Sequence, residues 1–253
     1  MIVVISPAKK LDFDTSAPTK KFSNLKDISM SEKLISELKK CNASKISKMM
    51  KLSESLTELN VKRYKDFKTP FNLQNAKQAI FAFKGDTYVG LDAESFTKKD
   101  IDYAQKHLRI LSGLYGLVSP LDLIQPYRLE MGTKFSCDGS KDLYDFWSGN
   151  ITSQLNQVLR KEKTLVNCAS GEYFKSVNTK LLKDVKVITP SFKEGKNGEF
   201  KMIGLFAKKA RGMMSRFIIQ NEIESSKDIQ AFNLDGYKFN KKLSSDLSPV
   251  FTR

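Results

Sequence analysis

Three short segments place hydroxyls, tyrosines and charged groups just past apolar runs. They are Ser6 and Lys9 after "IVVI", Ser112 and Tyr115 after "LRIL", and Ser170, Glu172, Tyr173 and Lys175 after "TLVNCA". If the apolar runs are parallel neighbouring strands, these residues share the crevice beyond the strand carboxyl ends, where open α/β sheets bind ligands. Arg128 and Glu130, in a glycine- and proline-rich block between 110 and 132, would reach the same crevice. Such a set suits a nucleotide or nucleobase, with Ser112, Tyr115, Arg128, Glu130 and Glu172 as candidate reacting groups and Ser6, Lys9, Ser170 and Tyr173 as further lining. No spacing among them identifies a nucleophile with its base. Serines past strand ends also satisfy backbone groups, so a purely structural role fits equally.

A second chemistry is phosphate binding. The formal net charge is +15, and 36 of the 43 cations are lysine. Residues 39–68 carry nine cations against three anions, and residues 175–216 carry eleven against three; the rest of the chain is almost neutral. Two local positive fields suit nucleic acid, anionic lipid or an acidic partner better than general solubility does. On a helical wheel, "FAKKARGMMSRFI" gathers Phe206, Ala210, Met213, Met214 and Phe217 on one side. Lys208, Lys209, Arg211, Gly212, Ser215 and Arg216 lie on the other, a cationic face that is either solvated or one wall of a polyanion site. Gly212 weakens a helix by ~1 kcal/mol relative to Ala, so close approach by a ligand or neighbour is expected there.

The segment 44–67, "SKISKMMKLSESLTELNVKRYKDF", reads as helix, tight connection, helix. A helix-hairpin-helix module grips nucleic-acid backbone through its hairpin amides and nearby cations. Here the connection falls at Leu52–Ser55, with Ser53 in it and Lys48, Lys51, Lys62 and Arg63 close by. The glycine usual in such a hairpin is missing, and two helices that merely pack together also fit.

The elements that would position these groups form a mixture of strands and helices. Strands are expected at "IVVIS", "AIFAF", "LRILSG", "TLVNCAS", "VKVITPSF" and "FKMIGLF", the last two joined through "KEGKNGE" as a hairpin. Helices are expected from a Ser29/Glu32 capping box to Lys40, from a Ser55/Glu58 capping box, from Thr97/Asp100 to His107, and over "DLYDFWSGNITSQLNQVLRK". "GDTYVGL" reads as a glycine-bounded turn. The fold class is α/β or α+β, with a mixed sheet flanked by helices in one domain over 1–253.

Composition narrows the chemistry. Cys41, Cys137 and Cys168 are far apart with no CxxC spacing, and His107 is the only histidine. Neither a disulfide framework nor a metal site is expected, and no cofactor is implied. His107 reads as a helix-end packing residue. No apolar run approaches the ~20 residues that span a bilayer, and "MIVVISPAKK" lacks the pattern of a signal peptide. A cytoplasmic monomer without membrane contact is the expectation.

The blocks "ISPAK", "AIFAFKGDTYVGL", "LRILSGLYGLVSPLDLIQPYRLEMG", "DLYDFW", "ASGEYFKSV" and "FAKKARGMMSRFIIQN" run nearly end to end through the chain. In that order they resemble the YaaA family of bacterial peroxide-stress proteins. The resemblance implies a single domain of unusual α/β arrangement, with a basic cleft and a helix-hairpin-helix-like element. It also implies DNA binding, to duplex or locally unpaired DNA, with little sequence preference, and a role in limiting oxidative damage when peroxide and free iron are present. Carried onto this chain, the helix-hairpin-helix-like element is the 44–67 pair, which departs from the pattern in lacking glycine. The basic wall is Lys208, Lys209, Arg211 and Arg216, and the blocks Ser112–Gly132 and Ser170–Lys175 look like lining. The "LSGLYGLVSP" block is also distantly similar to segments of proteins linked to nucleobase processing, which keeps an enzymatic reading open.

Overall fold

In the computed structural model, which describes residues 1–253 apart from the Lys196 side chain, three of the apolar runs lie side by side. Strand β1 (Ile2–Ile5) pairs in parallel with β5 (Leu108–Ser112) on one side and β8 (Thr164–Cys168) on the other. β9 (Lys186–Ile188) extends the sheet in parallel beyond β8, and β6 (Gly116–Val118) closes it antiparallel to β5. Every residue of β1 and β5 is buried, as expected of parallel strands covered on both faces.

A second sheet joins β11 (Glu199–Lys201), β10 (Ser191–Lys196), β13 (Val250–Thr252) and β12 (Lys238–Phe239) in that order. A hairpin forms here as the β10–β11 pair, but its turn is only residues 197–198: most of "KEGKNGE", expected as the loop, is strand, and "VKVITPSF" is divided between β9 of the first sheet and β10 of the second. Two short ribbons, β2 (Lys10–Leu11) with β4 (Phe83–Lys84) and β3 (Lys77–Gln78) with β7 (Leu123–Ile124), tie loops to the body. The fold is a mixed α/β arrangement.

The helices are α1 (Ser29–Lys40), α2 (Ala43–Met50), α3 (Glu54–Asp66), α4 (Ala79–Ala82), α5 (Asp86–Leu91), α6 (Lys98–His107), α7 (Leu143–Val158), α8 (Gly171–Phe174) and α9 (Gly204–Gln220). The Thr97/Asp100 capping box opens α6 as expected. Ser29 instead donates to Asp27 from inside α1, and Ser53 rather than Ser55 caps α3, so neither of the other two boxes forms. "AIFAF" is not a strand: Ala79 and Ile80 donate to the carbonyls of Asp122 and Pro120, and one helical turn links two short bridges. "GDTYVGL" is helix α5 rather than a turn, and "FKMIGLF" leaves the sheet at Lys201 to enter α9.

The direction of α9 decides which of its residues meet the strand ends. Ser215 lies against Cys168, the last residue of β8, and the charge of Arg211, one turn earlier, acts on the same thiol. Past the other end of α9, the Ile223 carbonyl accepts from Tyr103. Tyr103 stacks on His107, which bonds to the Met1 carbonyl just before β1. The helix therefore runs antiparallel to the strands, and its amino-terminal half overhangs their carboxyl edge.

α9 is held there by α5 at a crossing without side chains. A Cβ added to Gly212 would fall 1.8 Å from the Thr87 carbonyl oxygen, and one added to Gly90 would fall 2.0 Å from the Lys209 carbonyl oxygen. The expected close neighbour of Gly212 is thus the α5 backbone. One turn further on, Arg216 Nη1 donates to the Leu91 carbonyl at 3.2 Å, to Asp92 O at 2.9 Å and to Ser95 Oγ at 2.8 Å. Of these, the Leu91 carbonyl is one that α5 leaves, among the described residues, without another partner at its end, while Asp92 O also accepts from the Ser95 amide and hydroxyl. Arg216 therefore belongs to the fold and not to the outer cationic face: the wheel places it outward, and α5 covers it.

Two substitutions separate these roles. Gly212→Ala, which stabilises an ordinary helix by ~1 kcal/mol, is expected to destabilise this protein by ~3 kcal/mol through overpacking, read as a lower urea midpoint. Arg216→Ala is expected to cost ~1–3 kcal/mol by orphaning the Leu91 carbonyl, whereas Lys208→Ala stays within ~0.5 kcal/mol in the same melt.

Candidate nucleic-acid interface at the carboxyl edge of the sheet

Because β5, β1 and β8 are adjacent and parallel, their carboxyl ends open at one edge. Past the last ladder bond, side chains take over the pairing of backbone groups. Ser6 Oγ accepts from the Ser170 amide at 2.8 Å and donates to Ser170 Oγ at 3.3 Å. The Ser6 carbonyl accepts from Tyr88 of α5 at 3.2 Å.

Beside this clasp sits an ion network. Glu130 takes Lys9 Nζ at 2.8 Å on one carboxylate oxygen and Arg128 Nη2 at 3.1 Å on the other. One carboxylate between two cations leaves the spot positive. Glu172, in the first turn of α8, accepts from the Gly132 amide at 3.0 Å and so ties α8 to the irregular chain after Arg128. Burial holds the phenols of Tyr88, Tyr127 and Tyr173 well above the usual value, so each keeps its proton at neutral pH. Tyr64, Tyr88 and Tyr127 are parts of this edge that the residue pattern did not single out; Tyr88 and Tyr127 stand inside the conspicuous blocks "GDTYVGL" and "QPYRLEMG".

Two candidates turn away from the edge. Ser112 is fully buried, sharing a 2.6 Å hydrogen bond with the Tyr127 hydroxyl while accepting from the amides of Leu114 and Tyr115. Tyr115 is buried as well, its hydroxyl donating to the Gln125 carbonyl and accepting from the Gln125 amide. Both close their own loop, so neither faces the edge as a reacting group.

The two basic segments approach the edge from different elements. From α3, Tyr64 donates its hydroxyl to the Arg128 carbonyl, and the half-buried Arg63 lies near Arg128. Burial, then the Arg128 charge, pushes the Arg63 guanidinium down from its ordinary value. From α9, the charge of the half-buried Arg211 acts on Cys168 at the end of β8, and Lys208 is exposed one turn earlier. Neither Arg211 nor Lys208 has an ion pair among the described residues, whereas Lys209 is held by Asp235 at 3.2 Å. Lys175 leaves α8 with its ammonium 4.7 Å from the centre of the Tyr144 ring.

The connection between α2 and α3 is three residues, Lys51–Ser53, starting one residue and ending two residues before the expected Leu52–Ser55. Lys51 adopts the left-handed conformation, φ 52°, that a hairpin glycine would take without strain. Ser53 accepts from the Leu56 amide, and Lys62 pairs with Asp66 at 2.6 Å. Lys48 and Lys51 are exposed, but nine residues of α3 separate the connection from Arg63, about 14 Å along the axis. Only the far end of this helix pair therefore reaches the strand edge.

Among the described residues no three His, Cys, Asp or Glu side chains converge as metal ligands. The three cysteines are unpaired thiols, two of them buried. Among the described residues, no helix is long and apolar enough to cross a membrane.

A family model described as "Peroxide stress protein YaaA" matches residues 1–243. A "UPF0246 protein" of Saccharophagus degradans is 51% identical over 255 residues, covering 100% of this chain and 99% of its own. Another of Colwellia psychrerythraea is 50% identical with the same coverage, and one of Teredinibacter turnerae is 49% identical. Matching over essentially its whole length, the chain belongs to the YaaA family of peroxide stress proteins.

Proposed function

We propose that this peroxide-stress protein acts on DNA directly, as a cytoplasmic monomer that grips the phosphate backbone and leaves base edges largely unread. The observation that carries this reading is the convergence of cations from four parts of the chain on one edge: Lys9 after β1, Arg63 of α3, Arg128, and Lys208 with Arg211 of α9. The acids there, Glu130 and Glu172, are already bound to protein donors. Positive charge not cancelled by the fold attracts phosphates through counterion release, which is independent of sequence. Covering DNA in this way limits its exposure to iron and peroxide without requiring the protein to hold iron. Lys48 and Lys51, further along the same helix pair, extend the grip to neighbouring phosphates.

Reversing Lys208→Glu and Arg211→Glu together is expected to weaken binding to unrelated duplexes alike, by about 10-fold or more at roughly 100 mM salt, and to flatten the log–log salt slope by ~0.9 for each phosphate no longer neutralised. Fluorescence anisotropy titrations across salt concentrations measure both; an unaltered slope removes α9 from the interface.

A second reading has one specific observation in its favour. The Ser6–Ser170 clasp, Tyr173, Glu130, Glu172, Arg128 and Lys9 stand at the carboxyl edge of a parallel sheet, where ligands of such sheets bind. As an enzyme of nucleotides or nucleobases, the protein would yield a mass-shifted product from a panel of nucleotides and modified oligonucleotides. Glu172→Gln should abolish that product, and a panel that returns unchanged by mass spectrometry retires the reading.

A further inference from the structure

The segment between β11 and the second turn of α9 is apolar and faces solvent. Phe200, Met202, Ile203, Leu205 and Phe206 are all exposed, Met202 at 53% and Leu205 at 59%. The inner face of α9 starts only at Ala207, continuing through Ala210 and Met214. Beside the earlier residues stands Arg253, whose guanidinium lies 5.0 Å from the centre of the Phe206 ring and leaves Met202, Ile203 and Leu205 open to solvent. A contiguous exposed apolar patch with a polar rim marks an interaction surface.

The rim decides which partner fits. Residues 191–216 hold seven cations against Glu194 and Glu199. Glu194 is bound to Arg253 at 2.8 Å and Glu199 to Lys201 at 2.7 Å, while the nearby Asp235 is shared by Arg253 and Lys209. A second copy of the chain would bring like charges together, which opposes self-association through this face. The partner is therefore anionic and presents flat apolar surface beside its charge. Leu205 lies three residues before Lys208 and four before Lys209, so apolar tip and cations share one side of the helix. The same face continues to Arg211, three residues after Lys208.

We infer that Met202, Ile203 and Leu205 form an apolar wedge that contacts unstacked bases of a nucleic acid whose phosphates are held by Lys208 and Arg211. The inference rests on the DNA-binding reading and adds to it a preference for locally unpaired DNA. Apolar side chains inserted beside phosphate-gripping cations part base steps, at a cost that is smallest where pairing is already absent.

The test uses the full chain, a duplex of about 30 base pairs, roughly three helical turns, and the same duplex with a central unpaired loop. Met202→Ser with Leu205→Ser, both solvent-exposed positions, is expected to weaken binding to the looped DNA about 10-fold, the scale of removing one side chain from a base face. Binding to the intact duplex should stay within about twofold, with an unchanged salt slope. Lys208→Glu with Arg211→Glu should weaken both. If the wild type binds both DNAs and the serine variant does the same with equal affinity, the wedge is overturned while DNA binding stands. If the wild type binds neither, the DNA-binding reading falls as well. Loss of binding to phosphatidylglycerol vesicles, or of dimer in sedimentation, with DNA binding intact would assign the patch to lipid or to a second copy and overturn the wedge.

Discussion

The arrangement depends on two helices meeting with nothing between their backbones. At the crossing of α5 and α9, Gly90 and Gly212 each lie where any Cβ would penetrate the other helix. This crossing presses α9 down beside β1 and β8 and fixes how far its first turns project past the strand ends. It also sets α5 so that Tyr88 reaches the Ser6 carbonyl. A looser crossing would move Lys208 and Arg211 relative to Lys9 and Arg128.

Charge in this protein divides into what the fold consumes and what it leaves unpaired among the described residues. Arg216 closes the end of α5, Lys209 and Arg253 share Asp235, and the buried Lys77 donates to the carbonyls of Asp12 and Thr15. Exposed pairs such as Lys62–Asp66 contribute little to stability. Among the described residues, Lys208 and Arg211 on α9 and Lys48 and Lys51 on the α2–α3 pair stand outside such ion pairs. Formal charge counted along the chain cannot distinguish these populations, since one α5 loop turns Arg216 from a surface residue into a clamp.

Much of the fold was legible in the sequence because burial there leaves a local pattern. The apolar β1, the long α7 and the buried side of α9 from Ala210 to Phe217 follow from runs and periodicity; on the other side of α9, Gly212, Ser215 and Arg216 are covered, which periodicity does not reveal. Five apolar residues in "AIFAF" carry no such information, since a buried helical turn and a buried strand look alike at that length. In "GDTYVGL" the glycines suggested a turn; Gly90 is instead inside a helix because another helix touches it. The serines follow β1, β5 and β8 directly, but which way a residue turns after leaving a strand depends on the loop. Ser112 bonds inward to Tyr127 while Ser6 and Ser170 clasp each other. In the sequence Arg63 shows only its charge; its closeness to Arg128 depends on the docking of Tyr64, a tertiary interaction without local signature.

The central position of β1 bears on how the protein forms. Residues 2–5 are synthesised well before their ladder partners at 108–110 and 165–168. Pairings so distant in the chain raise the contact order and slow folding, because long loops must close before they are rewarded. This apolar segment therefore waits, unpaired, until both neighbours have been made. The charged edge assembles only after α9 has followed them, so nascent chains carry its cations scattered and without their final geometry.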